Sequence, residues 1–137
     1  MGKEYTRQTL RSIVSNLKEK NVEKKIEREL KKQGVPFFKV AGGLFQVSGM
    51  CDLLIFNRFT TYALELKSEF KRSKPTPLQI LQAHNFMNDL IWVFVDNNNY
   101  KWVVDNIVKN KKSVLKHYGQ KQLSYWRKYI NKHEKTL

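Results

Sequence analysis

Apolar residues in the first third of the chain recur at helical spacing. Ile13, Val14 and Leu17 form one set, and Val22, Ile26 and Leu30 continue it at four-residue steps. Gly34 followed by Val35-Pro36 is a glycine-then-proline helix stop. Asn21 is a candidate cap for a second helix, so the segment is one long helix or two short ones. After Gly34 the period shortens. Val35 to Val40 (VPFFKV) is a short β-prone run; Ala41-Gly42-Gly43 punctuates it, and LFQV (44–47) precedes the turn Ser48-Gly49-Met50. Asp52 to Phe56 (DLLIF) and Thr61 to Lys67 (TYALELK) predict two strands joined by Asn57-Arg58-Phe59-Thr60, a hairpin or meander. A basic, proline-punctuated loop, Phe70 to Pro77, leads into a helix from Leu78 to about Asn88. Leu90 to Val95 (LIWVFV) is the most apolar stretch and reads as a buried strand. The turn Asp96-Asn97-Asn98-Asn99 then leads into a further expected strand, Tyr100 to Val104. Beyond a link around Lys109 to Lys112, a helix is expected from Gln120 to about His133. The order α-β-β-β-α-β-β-α predicts one mixed α/β domain with a sheet core and a helical appendix.

Composition adds limits. A chain of 137 residues with 41% hydrophobic residues suits a single globular domain. The single cysteine, Cys51, excludes an intramolecular disulfide and a cysteine-built zinc site, and His84, His117 and His133 are too scattered for metal-ligand spacing. No apolar run approaches the ~20 residues of a membrane span, and MGKEYTRQTL lacks a signal-peptide core, so no membrane partner and a cytoplasmic location are expected. The formal charge of +14 changes the picture most. It points to a polyanionic partner, with DNA or RNA first.

The candidate chemistry lies in the predicted hairpin. Strand side chains alternate, so Glu65 and Lys67 share one face while Leu64 and Leu66 point the other way, into the core. Asp52 opens the adjoining strand, where its carboxylate can join that face. Two carboxylates suit a hard divalent ion such as Mg²⁺, which polarises a scissile phosphate and lowers the pKa of an attacking water. A neighbouring lysine can orient that water or offset developing charge. Glu-x-Lys alone is weak evidence, being common on solvated strand faces.

The surrounding pattern, SGMCDLLIF followed by YALELKSEF, resembles the PD-(D/E)XK nuclease superfamily. Two branches are most similar. The virus-type replication-repair nuclease domain (VRR-NUC), whose small stand-alone members often come from phages, is matched by Gly49-x-x-Asp52, by Glu65-Leu66-Lys67 and by Gln79 in KPTPLQ. The archaeal-type Holliday junction resolvase is matched by Glu23, Ile26, Leu30 and Gly34, with Lys39 as its following basic residue. The match covers roughly residues 20 to 105, the core expected of the domain, and leaves a basic helical extension of about 106–137. Cys51 stands where these families carry proline, a turn-shaping position without chemistry.

The resemblance implies a restriction-endonuclease-like domain with a mixed central sheet flanked by helices. It implies Mg²⁺, with Mn²⁺ able to substitute, held by Asp52, Glu65 and the Leu66 backbone carbonyl. Glu23 is the expected acid of the first helix, directly or through water, with Glu27 and Glu29 as alternatives; Gln79 is the expected accessory residue. Phosphate contacts are expected from Lys39 and from Lys71, Arg72 and Lys74 in the loop after the Glu-x-Lys strand. From Asp105 onward nine basic residues face two acids, which adds Lys111, Lys112, Arg127 and Lys128. Tyr118, Tyr125, Trp126 and Tyr129 are interleaved with these charges. Trp126 sits at helical stripe spacing from Leu123 and Tyr129, and the aromatics are assigned to packing rather than to base stacking. The expected activity is a structure-selective DNA endonuclease acting on branched DNA such as a Holliday junction. Cutting both strands of a symmetric junction implies a homodimer. The alternatives are a restriction-type or nicking nuclease and a non-catalytic nucleic-acid-binding protein.

Overall fold

The first helix, α1 (Arg7–Lys32), is one continuous element. Thr6 caps its start by accepting a 3.1 Å bond from the Thr9 N–H. Its end is closed by the Gly34 N–H on the Lys31 carbonyl and the Val35 N–H on the Leu30 carbonyl, with Gly34 at φ +70°. Asn21 lies inside the helix, where it costs a few tenths of a kcal/mol against alanine and breaks nothing. The buried apolar side chains of α1 all lie in its second half, Val22, Ile26 and Leu30, while Leu10, Ile13, Val14 and Leu17 stay about half exposed.

The computed structural model describes residues 6–40 and 48–133, and the expected run LFQV lies outside them. Strands β1 (Phe37–Lys39), β2 (Leu53–Asn57) and β3 (Thr60–Leu66) form an antiparallel meander. Helix α2 (Pro77–Phe86) crosses over to β4 (Ile91–Val95), which pairs in parallel with β3. The sheet is thus mixed, in the order β1-β2-β3-β4. Leu53, Ile55, Tyr62, Leu64, Leu66, Val93 and Val95 pack on one face with the buried side of α1. Ala63, Trp92 and Phe94 pack on the other face with Ile80 and Ala83 of α2. The protein is therefore a mixed α/β fold, as the pattern of elements predicts.

One expected strand is a helix. Tyr100–Val108 forms α3, and Val103, Val104 and Ile107 join the α1 side of the core. The residues Tyr100 to Val104 are β-prone by type, but the apolar positions 100, 103, 104 and 107 carry helical spacing over the longer window. Asp96 helps start the helix: its Oδ1 accepts from the Asn98 and Asn99 N–H groups.

The last helix also begins earlier than expected. After a turn at Asn110 (φ +50°), α4 runs from Lys112 to His133. It is a wall of the domain rather than an appendix. Leu115, Leu123 and Trp126 are buried in the core clusters, and a Cβ on Gly119 would overlap the Trp92 carbonyl. The outer edge of β4 is sealed by Gln122, whose amide accepts from the Phe94 N–H at 2.9 Å and donates to the Phe94 carbonyl at 2.8 Å. A side chain thereby stands in for a fifth strand. Among the described residues no helix is long and apolar enough to cross a membrane.

Helix propensity alone predicts that Gly119→Ala stabilises the protein by about 1 kcal/mol. The close approach to Trp92 reverses that sign, and the substitution should cost about 1–3 kcal/mol in urea unfolding. An unchanged or higher urea midpoint would contradict the packing of α4 on β4.

Candidate active site

The C-terminal ends of the parallel pair β3 and β4 are where open α/β sheets commonly place their chemistry. Here the chain delivers its acids to that end. The turn Ser48-Gly49 precedes β2 and packs on α2. Gly49 has φ +80°, and a Cβ there would lie 2.8 Å from the Leu78 side chain, so both backbone shape and space demand glycine. The Ser48 carbonyl accepts from Gln82 at 3.0 Å, tying the turn down.

Asp52 follows. Its N–H donates to the Leu64 carbonyl, and its carboxylate Oδ2 accepts from the Leu66 N–H at 2.7 Å. The side chain therefore reaches across to β3 at the residue between Glu65 and Lys67. Leu66, expected to offer its carbonyl, is the residue whose N–H anchors Asp52.

Glu65 and Lys67 are almost completely buried, at 2% and 8% exposure, on the face opposite Leu64 and Leu66. Glu65 Oε1 accepts a 2.6 Å bond from Gln79 Nε2 and lies 3.9 Å from Lys67 Nζ. Gln79 is itself locked in a capping box with Thr76 at the start of α2. Its Oε1 accepts from the Thr76 N–H, and its N–H donates to Thr76 Oγ1. Asp52, Glu65, Lys67 and Gln79 are thus brought together at one end of β3.

The first helix is more revealing. Glu23 sits beside Lys39, with Oε1 2.8 Å from its Nζ, so two expected site residues pair with each other. Glu29 accepts from Gln33 on an exposed stretch near the helix end. Glu27 Oε1 is buried without a hydrogen-bond partner. The residue that sequence reasoning missed is Glu19, one turn before Glu23. Burial first, then the negative charges of Asp52 and Glu23, push its carboxyl up to about 7, against the opposing pull of Lys67. Glu19 is three residues before the buried Val22 and seven before Ile26. That spacing puts Glu19 on the inward stripe, but Glu23 stands in the same relation to Ile26 and Leu30, so only the place of Glu19 in the fold singles it out.

The site concentrates negative charge. Burial is the main cause that raises Glu65 far above the ordinary carboxylate range, reinforced by Asp52 and Glu19 and opposed by Lys67. Asp52 is also raised, by burial first and by the charge of Glu23, against the bond from Leu66 and the charge of Lys67. Glu23 thus acts on Asp52 while pairing with Lys39. Cys51 is buried, and burial followed by the charges of Glu65 and Asp52 pushes its thiol up to about 12. It stays protonated, a filler and not a nucleophile.

Among the described residues no three His, Cys, Asp or Glu side chains form a ready-made metal cage. Magnesium needs none, since it commonly takes one or two carboxylates and keeps several waters. Glu65 Oε2 is a buried oxygen without a partner, and Asp52 uses one oxygen on Leu66. This all-oxygen donor pair fits a hard divalent ion.

The basic residues divide. Lys71, Arg72 and Lys74 are exposed on the loop after β3; Arg72 lies 3.8 Å from Glu69, and Lys74 Nζ donates to the Lys71 carbonyl. Arg127 and Lys128 are exposed on α4, with Arg127 within 3.4 Å of the His84 ring. Lys111 and Lys112 lie elsewhere. They follow Asn110, which bonds Tyr62 near the start of β3, at the opposite end of the strand from Glu65. Comparison of the chain with protein-family models, with curated proteins and with solved structures finds no match.

The raised carboxyls give a signed expectation. Below the ordinary glutamate value of 4.5, folded and unfolded chains both hold the proton; above it the unfolded chain ionises first, and stability drains away as pH rises through about 7 for Glu19 and higher for Glu65. In EDTA, Glu65→Gln should therefore gain in melting temperature over the native protein as pH goes from about 5 to about 8. Added Mg²⁺ should raise the native midpoint and do so much less for Asp52→Asn. A Glu65→Gln difference that is flat with pH, or an equal Mg²⁺ response in both proteins, would contradict this site.

Proposed function

We propose that the protein is a Mg²⁺-dependent phosphodiester hydrolase acting on DNA, a nuclease of PD-(D/E)XK type with branched DNA as its favoured substrate. The observation that carries this reading is the convergence of Asp52, Glu65 and Lys67 at one end of β3, inside a chain of formal charge +14. A divalent ion bound between the two carboxylates would supply Lewis-acid activation of the phosphate and of a water. Gln79 holds Glu65 in one orientation, so the carboxylate needs little reorganisation when it is used. Lys67, buried beside Glu65, presents a fixed positive charge to the attacking water or the scissile group. Glu19 adds a third acid within electrostatic reach of Asp52 and Glu65. The exposed Lys71, Arg72 and Lys74 on the adjoining loop suit backbone phosphates.

Preference for branched DNA rests on the small size of the chain and on the resemblance to repair nucleases, through Gly49, Asp52, Glu65-Leu66-Lys67 and Gln79, and to junction resolvases, through Glu23, Ile26, Leu30, Gly34 and Lys39. Symmetric cutting of a four-way junction needs two centres, so the reading includes a homodimer. The half-exposed stripe Leu10, Ile13, Val14 and Leu17 on α1 offers it an apolar surface. Magnesium-supplemented digestion of junction, flap and linear DNA side by side tests the activity and the substrate together. Cleavage should require the metal and favour the branched forms. Lys67→Ala and Asp52→Asn should each lose at least about 100-fold in rate while DNA binding persists. Undiminished cleavage by either variant would defeat the assignment.

A further inference from the structure

The loop after β3 separates two grooves of different chemistry. On its α1 side the lining joins Arg11, Lys18, Lys71 and Arg72 to the apolar Leu10 and Val14 of the α1 stripe and holds no aromatic ring, so it offers charge to phosphates but no stacking surface to bases. On its α4 side runs a groove of about 620 Å³, and Lys71 lines this one as well. Lys74 and Lys121 add positive charge, Phe70, Tyr118 and Tyr125 add rings, and among the described residues no acid lines it.

The rings are held, not loose. Trp126, only 5% exposed, forms the floor, and Phe70 and Tyr125 meet it edge-on at centroid distances of 5.6 and 4.9 Å. Tyr125 is nevertheless 61% exposed. Tyr118 is fixed through its hydroxyl, which accepts from Asn99 at 2.8 Å. Tyr118 and Tyr125 lie seven residues apart on α4, about 10 Å along one side of the helix. Lys74 Nζ lies 5.7 Å from the Tyr129 ring centroid, so a cation is stationed over the same aromatic row. Packing alone explains Trp126. It does not explain why Tyr125 projects into a groove ringed by lysines.

We propose that this groove binds an unpaired nucleic-acid strand, with bases stacked on Tyr125 and phosphates on Lys71, Lys74 and Lys121. A duplex hides its base faces inside its own stack except at its ends, so an exposed ring beside a line of lysines favours a strand that is not paired. The groove begins at Phe70 and Lys71, a few residues past Lys67, so it would hold a single-stranded arm beside the catalytic end of β3. The inference deepens the nuclease reading, and rests on it for the role of the bound strand in cleavage, although binding itself requires no chemistry.

The test is binding of short oligo-dT carrying a 2-aminopurine, in EDTA at fixed salt, beside a blunt duplex of equal length. Oligo-U in a parallel titration distinguishes RNA from DNA as the source of the strand. The native protein should quench the 2-aminopurine on binding. Tyr125→Ala should lose the quench and weaken single-strand binding about tenfold, with duplex binding changed by less than about twofold. Tyr125→Phe, which keeps the ring, should behave as native. If Tyr125→Ala leaves single-strand binding and quenching intact, or weakens both forms of DNA equally, the inference is overturned. Because no cleavage is measured, loss of the nuclease reading alone would leave these expectations standing.

Discussion

A carboxylate enclosed by protein is costly unless its charge is answered, and Glu65 is such a group at 2% exposure. The end of the sheet is arranged around it. Gln79 donates to one oxygen, Lys67 stands 3.9 Å from the same oxygen, and the other oxygen has no protein partner. Asp52, fastened to the Leu66 N–H, adds a second negative charge where repulsion has to be offset. Such an arrangement is poor as a structural device, because apolar residues of similar volume would fill the space at less cost. Without a cation a proton answers the charge of Glu65, as its raised carboxyl shows; on the proposed nuclease reading a divalent ion would take that proton's place.

The supporting elements follow from that demand. Gly49 lets the turn before Asp52 lie against Leu78, and the capping box of α2 fixes Gln79. Parallel pairing of β3 with β4 leaves the strand ends at Leu66 and Val95 side by side, and the Lys67 N–H closes on the Val95 carbonyl. On the far side, α4 seals the edge of β4 through Gln122 and rests on its backbone at Gly119. Its Trp126 then meets Phe70, which places the basic and aromatic C-terminal segment against the loop that leaves the site. One helix closes the sheet and furnishes a surface next to the acids.

Much of this is legible along the chain. Two-residue alternation in TYALELK puts Glu65 and Lys67 on one face and Leu64 and Leu66 on the other, and the fold agrees. The stop at Gly34, the hairpin between β2 and β3, and the buried strand Ile91–Val95 are likewise local matters of glycine geometry and hydrophobic period. Tyr100–Val108 is misread because Tyr, Trp and Val favour strands by type, whereas the spacing that makes them helical extends to Ile107. Glu19 is hidden because several acids on α1 look alike until the helix is placed on the sheet.

The sequence by itself determined the elements with a clear period, the triad of residue types at the heart of the site, and an excess of positive charge. These depend on spacing along one or two strands, which local geometry transmits without help. Only the tertiary structure decided that Glu19 joins Glu23 within electrostatic reach of Asp52, that Gln79 holds Glu65, that Lys39 pairs with Glu23, and that α4 is part of the core. Those are contacts between elements far apart in the chain, and they depend on how a helix is rotated and where it crosses the sheet. Periodicity can say which side of a helix turns inward; it cannot say what that side will meet.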